Sequence, residues 1–387
     1  MNNFVSYNPV KVIFGRSALE NLGTEARLYG DKALLVYGDR SIKENSIYSK
    51  VIDQLEKAGI DHIDYSGVRA NPLLSDVHQG IELFREHRCS VVVGVGGGSV
   101  IDTAKSVSAG VPAAFDIWKL FIGKKTIGET IPVIAVPTIA GAGSETNNGI
   151  VLTHDKKRLK LGFGHRKLFP SVCLADPVST FTVPANLTSF GAIDTFTHCL
   201  EAYLSTNQFS SSVQLGFIET ICKTVLSASV SATQQPDSYD DRAALLWAAS
   251  LALNGITTSG LGKIQFPIHL LAHALSAQHP IAHGAALAAV LPGWLTLNRH
   301  RLEARLARFS EAVFNLHGGS VKYKAQRAIE LIEAWLVVND CPTRISDLGR
   351  YHFNMLEMKN HCLMQGKIWR LFDYDEQTID ALINRCQ

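Results

Sequence analysis

The sequence predicts an α/β N-terminal domain followed by an all-helical C-terminal domain. Up to about residue 184, short apolar runs rich in β-branched residues alternate with segments of helical periodicity. Two of these runs lead into glycine-rich turns. After Pro184 the periodicity is helical almost throughout, and strand signals vanish. We therefore predict domains at residues 1–184 and 185–387.

The first domain is predicted to alternate between strands and helices. Strands are expected in KALLVYG, HIDYSGV, CSVVVGVGGGS and TIPVIAVPT, and helices in SIYSKVIDQLEKAG, DVHQGIELFREHR and VIDTAKSVSAG. Near-continuous apolar strands separated by helices indicate a parallel sheet covered on both faces. Because crossover connections are right-handed, we predict a doubly wound, Rossmann-like sheet.

The second domain is predicted to contain helices alone. Helical spacing runs through ANLTSFGAIDTFTHCLEAYLS, SVQLGFIETICKTVLSASV, DRAALLWAASLALNGI, HLLAHALSAQH, RLEARLARFSEAVFNL and AQRAIELIEAWLVV. We find no internal repeat and no low-complexity segment in the sequence.

Composition and charge argue against several classes of protein. Hydrophobic residues make up 46% of the chain and charged residues 19%, which is typical of a compact globular protein. The net charge is +2 with scattered basic residues, so we expect neither nucleic acid nor a membrane as partner. No signal-peptide pattern or uninterrupted apolar run of membrane-spanning length is present. The seven cysteines are widely spread and form no CxxC motif, which predicts reduced thiols in a cytoplasmic protein.

A glycine-rich turn follows the strand in VVVGVGGGSVIDTAK. Glycines between a strand and a helix let the backbone approach a phosphate, and the helix N-terminus offers N–H groups and a positive dipole end. Ser99 stands where the dinucleotide fingerprint GxGxxG has its last glycine, so a tight turn without a ligand is the alternative. A second polar glycine loop, PTIAGAGSETNN, also follows a strand, and the two could flank one dinucleotide.

A carboxylate and an imidazole share one helix face in GAIDTFTHCLEAY. Asp194 and His198 are four residues apart and project from the same side. The alternative for this pair alone is an ordinary surface contact. Glu201, seven residues after Asp194, lies near that face, and we interpret it as a helix-face carboxylate.

Four of the fourteen histidines lie in HLLAHALSAQHPIAHG. Buried imidazoles are costly unless they find partners. One carboxylate with three imidazoles would bind a borderline divalent ion such as Fe²⁺ or Zn²⁺ and leave a position open for substrate. The spacing leaves open which three are ligands among His269, His273, His279 and His283.

These motifs resemble those of the iron-containing (group III) alcohol dehydrogenases, most closely the butanol dehydrogenase and broad-range aldehyde reductase branch. The resemblance covers nearly the whole chain and rests on GVGGGSVIDTAK, PTIAGAGSETNNGIV, GAIDTFTHCLEAYLS and HLLAHALSAQHPIAHGAALAAVLPGWL. It implies a dinucleotide-binding domain, a helical metal domain and an active site in the cleft between them. It also implies hydride transfer between a primary alcohol or aldehyde and NAD(P), in a homodimer or higher homo-oligomer.

The resemblance assigns roles to individual residues. The family's further histidine, close to nicotinamide and substrate, falls on His273, which would relay a proton for the substrate oxygen or position the nicotinamide. His279 matches no family function, and we expect it in a loop or at the surface. The metal ligands fall on Asp194, His198, His269 and His283.

The cofactor site is carried over in the same way. Lys160 would lie near the cofactor ribose, and its alternative is a solvated charge in the run KKRLK. The pyrophosphate loop falls on Gly97, Gly98 and Ser99, and the nicotinamide side on Thr138 and Ser144.

The sequence departs from the family after its second strand. The aldehyde reductase branch usually shows YGGGS there, whereas this chain has YGDRS. Asp39 would accept a hydrogen bond from a ribose 2′-hydroxyl and repel a 2′-phosphate, while Arg40 would bind that phosphate. Asp39 thus favours NAD(H) and Arg40 favours NADP(H). On balance we expect NAD(H).

Three other functions compete with this prediction. A polyol dehydrogenase of the glycerol type would use the same chemistry. A sugar-phosphate cyclase of the dehydroquinate synthase type needs basic residues beside the metal, and the histidine-rich stretch contains none. A nucleotide-binding regulator without catalysis would have lost a ligand, and all four are present.

The cofactor preference is testable through Asp39. We expect Asp39→Gly to raise the use of NADPH relative to NADH, because the change removes a carboxylate that repels a 2′-phosphate. The ratio of kcat/KM values for the two cofactors measures the effect. An unchanged ratio would show that Asp39 does not select the cofactor.

Overall fold

The computed structural model describes residues 1–38, 41–205, 211–349 and 351–387. Asp39 and Arg40 therefore lie outside the described residues. The strands are β1 Lys11–Phe14, β2 Lys32–Tyr37, β3 Asp61–Tyr65, β4 Val91–Gly96, β5 Val133–Pro137, β6 Gly149–His154, β7 Leu159–Gly164 and β8 Val172–Ala175. The helices are α1 Leu22–Arg27, α2 Ser41–Glu44, α3 Ile47–Lys57, α4 Leu74–Glu86, α5 Gly98–Gly110, α6 Trp118–Phe121, α7 Ala185–Ser205, α8 Ser212–Gln234, α9 Tyr239–Leu253, α10 Pro267–Gln278, α11 His283–Phe314, α12 Val321–Val338, α13 Met355–Trp369 and α14 Glu376–Cys386.

Six strands form one parallel sheet in the order β1-β8-β5-β4-β2-β3. On one face, Leu55 of α3 joins Leu35 and Val93 in a single core. Successive strand residues point to opposite faces, and Gly94, next to Val93, faces Ala104 of α5. Helices thus cover both faces, and the prediction of a doubly wound parallel sheet is confirmed.

The strand order creates a switch point between β2 and β4. The chain leaves β2 toward β3 on one side and returns to β4 on the other side of β2. In open parallel sheets, ligands bind outside the carboxyl ends of the strands at such a point. Tyr37 pairs with Val95, so Gly38 after β2 and Gly97 after β4 lie at the same edge. The predicted pyrophosphate loop therefore occupies the edge where a dinucleotide is expected.

The sequence patterns missed four strands of this unit. Strands β1 and β8 are short and lie beside each other at one side of the sheet. Strands β6 and β7 form a separate antiparallel hairpin, in which Thr153 pairs with Lys160. The hairpin runs through the charged segment DKKRLK, which had no alternating apolar pattern to mark it.

A buried polar network lies beneath the glycine loops. The Lys105 side chain is fully buried, and its Nζ donates to the Ser144 carbonyl and hydroxyl at 2.8 Å and to the Asn147 side chain at 3.1 Å. Asp102 accepts from the Ser144 hydroxyl and, at 2.8 Å, from the Val151 amide. Burial lowers the pKa of Lys105 to about 8, although nearby carboxylates oppose this, and burial raises the pKa of Asp102. The network ties α5 to the second glycine loop and to the hairpin.

Helices make up the other compact unit. Its longest helix, α11, packs on α7, α10, α12 and α14 and carries Pro292 in its interior. The all-helical character predicted for this part of the chain is confirmed. Each of the seven cysteines is buried with a free thiol, in agreement with the predicted reduced state.

The compact units differ from the predicted domains in two segments. The helical unit contains Met1–Ser6, Pro184–Gln235 and Leu251–Gln387, and the α/β unit contains Tyr7–Val183 and Pro236–Ser250. Most of α9 thus belongs to the α/β unit, because Leu246 packs on the end of β8 and the Ser250 hydroxyl donates to Glu145 at 2.6 Å. The assignment of separate functions to residues 1–184 and 185–387 stays a prediction.

One helix in the described part of the chain is long and apolar enough to cross a membrane. This helix is α8, and 44% of its most apolar window is buried. Core helices of soluble proteins meet the same criteria, so length and composition do not by themselves indicate a membrane span. The expectation that the chain has no membrane partner stays a prediction.

The Lys105 network should matter for stability. We expect Lys105→Met to lower the free energy of unfolding by about 3 kcal/mol, because the Asp102 carboxylate would stay buried without its cation. Lys57→Met, at an exposed site on α3, should change the free energy by less than about 0.5 kcal/mol. Urea unfolding followed by circular dichroism measures both variants, and equal losses would contradict this role for Lys105.

Candidate metal centre

Helix α7 carries the first two predicted ligands. Asp194 and His198 are buried on one face of this helix, one turn apart. The His198 Nδ1 atom lies 3.5 Å from the Asp194 Oδ1 atom. The predicted spacing therefore places both groups in the interior rather than at the surface.

The histidine-rich stretch forms the end of α10, a short connection and the start of α11. His269 lies in α10, and His283 is the first residue of α11. A Cβ atom on Gly284 would lie 2.0 Å from the carbonyl oxygen of Phe190, which is one turn before Asp194. Glycine at this position allows α11 to begin directly against α7, and it thereby places His283 beside Asp194.

Three imidazoles surround one oxygen of Asp194. Its Oδ1 atom is 3.5 Å from His269 Nε2, as it is from His198 Nδ1, and 3.7 Å from His283 Nε2. The ligand atoms of Asp194, His198 and His269 all lie within 4.8 Å of one another. The structure thus brings together the four residues on which the family resemblance places the metal ligands.

Burial and donor chemistry in this cluster fit a divalent metal ion. Buried ring nitrogens of the cluster that form no hydrogen bond with another described group include His198 Nδ1 and His269 Nε2. Burial lowers the pKa of His198 to about 3, so this imidazole is neutral, which is the form that binds a metal. The side chain of His283 is 24% exposed, whereas that of His269 is 6% exposed. The cluster is therefore most accessible beside His283.

Glu201 orients His269 from behind. It is 1% exposed, accepts a hydrogen bond from the Ile268 amide at 2.5 Å and contacts His269 Nδ1 with its other oxygen. Burial by itself lowers the pKa of His269, but Glu201 and Asp194 raise it to about 9. The Glu201 carboxylate holds a hydrogen on Nδ1, and Nε2 faces Asp194. Carboxylates orient metal-binding histidines in this way.

Glu201 lies on the predicted face of α7, but the prediction did not foresee its burial or its contact with His269. The sequence signal was its distance of seven residues from Asp194, which places the two residues two turns apart on the same face of α7. Its interior position depends on the approach of α10, which the sequence of α7 does not reveal.

The two remaining histidines of the stretch have different surroundings. His273 is buried, and its ring centre lies 5.4 Å from that of His283 and 5.4 Å from that of Trp369. His279 lies apart from the cluster, with Nε2 2.9 Å from the His352 carbonyl oxygen and its ring against Tyr351. His279 follows the last residue of α10, which agrees with the expectation that it lies in a loop.

The two glycine loops of the α/β unit pack against each other. A Cβ atom on Gly97 would lie 2.5 Å from Ile139, and one on Gly98 would lie 2.6 Å from Ala142. The Thr138 amide donates to the Gly96 carbonyl at 3.1 Å. Glycines are thus required here for close approach of two chain segments as well as for any ligand. Helix α5 begins at Gly98, and its first N–H groups suit an anion such as a pyrophosphate.

Ser99 and Lys160 are connected through a residue that the sequence patterns missed. The backbone N–H of Asn71 donates to Ser99 Oγ at 3.2 Å, and Lys160 Nζ donates to the side-chain Oδ1 of Asn71 at 2.6 Å. Lys160 is 3% exposed, so its interpretation as a solvated charge is wrong. The hydroxyl of Ser144 is engaged by Asp102 and Lys105, and its contact with a cofactor stays a prediction.

Comparison with known families matches both units. Residues 9–177 match the family model described as iron-containing alcohol dehydrogenase. Residues 188–369 match the model described as Fe-containing alcohol dehydrogenase family, C-terminal. Together the two models span most of the chain.

Individual relatives agree with these models. A probable NADH-dependent butanol dehydrogenase of Bacillus subtilis is 34% identical over 90% of both chains, and the NADPH-dependent aldehyde reductase YqhD of Escherichia coli is 32% identical over 90% of both chains. The crystal structure of an NADH-dependent butanol dehydrogenase A from Thermotoga maritima superposes with a TM-score of 0.95 at 33% identity and covers 100% of this chain and 99% of its own. This chain belongs to the iron-containing alcohol dehydrogenase family.

Proposed function

We propose that this chain is a metal-dependent alcohol dehydrogenase and aldehyde reductase. It transfers a hydride between a primary alcohol or aldehyde and the nicotinamide of NAD(H) or NADP(H). The observation that carries the proposal is the cluster of three imidazoles around one buried carboxylate oxygen of Asp194. Family membership and relatives named as butanol dehydrogenases and an aldehyde reductase support it.

The metal-binding role rests on four residues of the helical unit. Asp194, His198, His269 and His283 would hold Fe²⁺ or Zn²⁺, and the donor set suits either ion. When bound, such an ion acts as a Lewis acid that polarises a substrate oxygen. His273 is buried beside His283, and in this proposal it would exchange a proton with the substrate oxygen or contact the nicotinamide.

The cofactor-binding role rests on the α/β unit. Gly97, Gly98 and Ser99 would bind the pyrophosphate at the N-terminus of α5. Thr138 and Ser144 would border the nicotinamide side, and Lys160 would lie near the ribose. Relatives are named for NADH and for NADPH. In this chain Asp39 would favour NAD(H) and Arg40 would favour NADP(H), and we propose NAD(H) on balance.

The substrate class and the setting are also part of the proposal. The relatives named for butanol favour short primary alcohols and their aldehydes as substrates. We also propose a homodimer located in the cytoplasm, on the resemblance described above. No other macromolecular partner is needed for this reaction.

A paired assay on metal-analysed protein tests the proposal. Butyraldehyde is supplied with NADH or NADPH before chelation, after chelation and after addition of Fe²⁺ or Zn²⁺. We expect cofactor oxidation that disappears on chelation and returns with metal, because the metal activates the carbonyl group. Absence of oxidation with a fully occupied metal site would overturn the proposal and direct attention to polyols.

Glu201 provides a test of how the ligands are held. We expect Glu201→Gln to weaken metal binding by about 10- to 100-fold, since an amide holds the Nδ1 hydrogen of His269 less strongly than a carboxylate does. Competition with a chelator of known affinity gives the dissociation constant. His279→Ala, a change outside the cluster, should leave that constant unaltered. Equal affinities in Glu201→Gln and the wild type would show that Glu201 does not tune the site.

A further inference from the structure

A buried hydrogen-bonded chain lies behind His273. Gln365, on α13, places its side-chain Nε2 atom 2.8 Å from His273 Nδ1. His361, one turn earlier on the same helix, has its Nε2 atom 3.2 Å from Gln365 Oε1. Gln365 is fully buried and His361 is 6% exposed. Three polar side chains thus form a line from α13 to the ring of His273.

The chemistry of the amide determines where the ring hydrogens lie. An amide nitrogen only donates and an amide oxygen only accepts. With Gln365 Nε2 facing His273 Nδ1, that ring nitrogen must be the acceptor, so neutral His273 carries its hydrogen on Nε2. With Gln365 Oε1 facing His361 Nε2, His361 must donate from Nε2. One amide orientation therefore fixes the tautomers of two histidines.

We propose that Gln365 is a positioning residue that holds the His273 ring and keeps its hydrogen on Nε2. The inference rests on the proposed function, in which His273 lies beside the metal ligands and meets substrate or nicotinamide. With Nδ1 engaged by Gln365, the ring presents Nε2–H as its donor for that role. Gln365 makes no contact with the reacting atoms in this scheme and acts through His273 alone.

The burial of this chain argues for a directional role rather than for simple packing. An apolar side chain of similar volume would fill the same space between α10 and α13 without the cost of burying an amide. A buried amide is stable only when its donor and acceptor are both satisfied, and the two histidines supply both partners. Because of this arrangement, the His273 ring cannot rotate about its Cβ–Cγ bond without losing a buried hydrogen bond.

The position of the ring hydrogen can be measured without any assay of turnover. The protein is labelled with ¹⁵N-histidine and loaded with diamagnetic Zn²⁺. Two-bond couplings from the ring carbon hydrogens then distinguish protonated from unprotonated nitrogens, and His273→Gln identifies the His273 signals. We expect a protonated Nε2 and an unprotonated Nδ1. A hydrogen on Nδ1 in the wild type would overturn the proposal.

Substitutions at Gln365 test its influence on that hydrogen. Glutamate has nearly the same shape as glutamine, but its carboxylate can only accept a hydrogen bond. In Gln365→Glu we therefore expect the hydrogen of His273 to move to Nδ1. Gln278→Glu is the matched control, because Gln278 lies on the same helix as His273 but bonds to Asn354. Unchanged His273 signals in Gln365→Glu would overturn the proposal.

Kinetics separate positioning from a merely structural role. We expect Gln365→Leu to lower kcat by about tenfold or more, since a misplaced catalytic group can cost about 100-fold. Zn²⁺ content should stay within about twofold of the wild type, because the metal ligands do not change. An unaltered kcat would overturn the proposal. If the wild type turns over no alcohol or aldehyde, the proposed function fails, whereas the NMR experiment still decides the tautomer.

Discussion

The structure of the helical unit depends on one buried carboxylate. Asp194 lies in the interior of α7 with the ring nitrogens of three imidazoles 3.5 to 3.7 Å from a single oxygen. Burial of a carboxylate is costly unless charge or hydrogen bonds compensate it. Compensation here requires side chains from α7, α10 and α11 at one point. The sequence meets this requirement with a four-residue spacing on α7, with His269 on α10, and with Gly284, which admits the start of α11.

The imidazoles around Asp194 are themselves held by a further layer of buried polar groups. Glu201 contacts Nδ1 of His269, and Gln365 contacts Nδ1 of His273. In both cases Nδ1 is engaged, so Nε2 has a defined state: without a hydrogen in neutral His269, and with a hydrogen in His273 as proposed above. Such partners fix the orientation of a ring before any ligand arrives, and rings fixed in this way lose less entropy when the ligand binds.

Sequence reasoning predicted what depends on local spacing and failed where distant segments meet. The parallel sheet followed from apolar runs and glycine turns, and the pair Asp194 and His198 followed from helical periodicity. Glu201 and Gln365 were missed because each is recognisable only from the helix packed against it. Most of α9 reads as one more helix of the helical part, yet it belongs to the α/β unit because Leu246 packs on β8. The resemblance to a family was needed to choose among the histidines, since spacing alone left four candidates for three positions.

The α/β unit follows the same physical rule with different groups. Lys105 is buried beneath the glycine loops and is satisfied by Ser144, Asn147 and Asp102. Its network holds the second glycine loop, and close packing of Gly97 on Ile139 holds the first loop against the second. Loops built from glycine are intrinsically mobile, because glycine loses more backbone freedom on folding than any other residue. A buried, fully hydrogen-bonded cation is thus the means by which flexible loops acquire a defined shape, as the buried carboxylate of Asp194 is for the histidine cluster. In the α/β unit the ordering charge of Lys105 lies beneath the loops that would meet a ligand, whereas in the helical unit Asp194 both orders the histidines and would itself bind the metal.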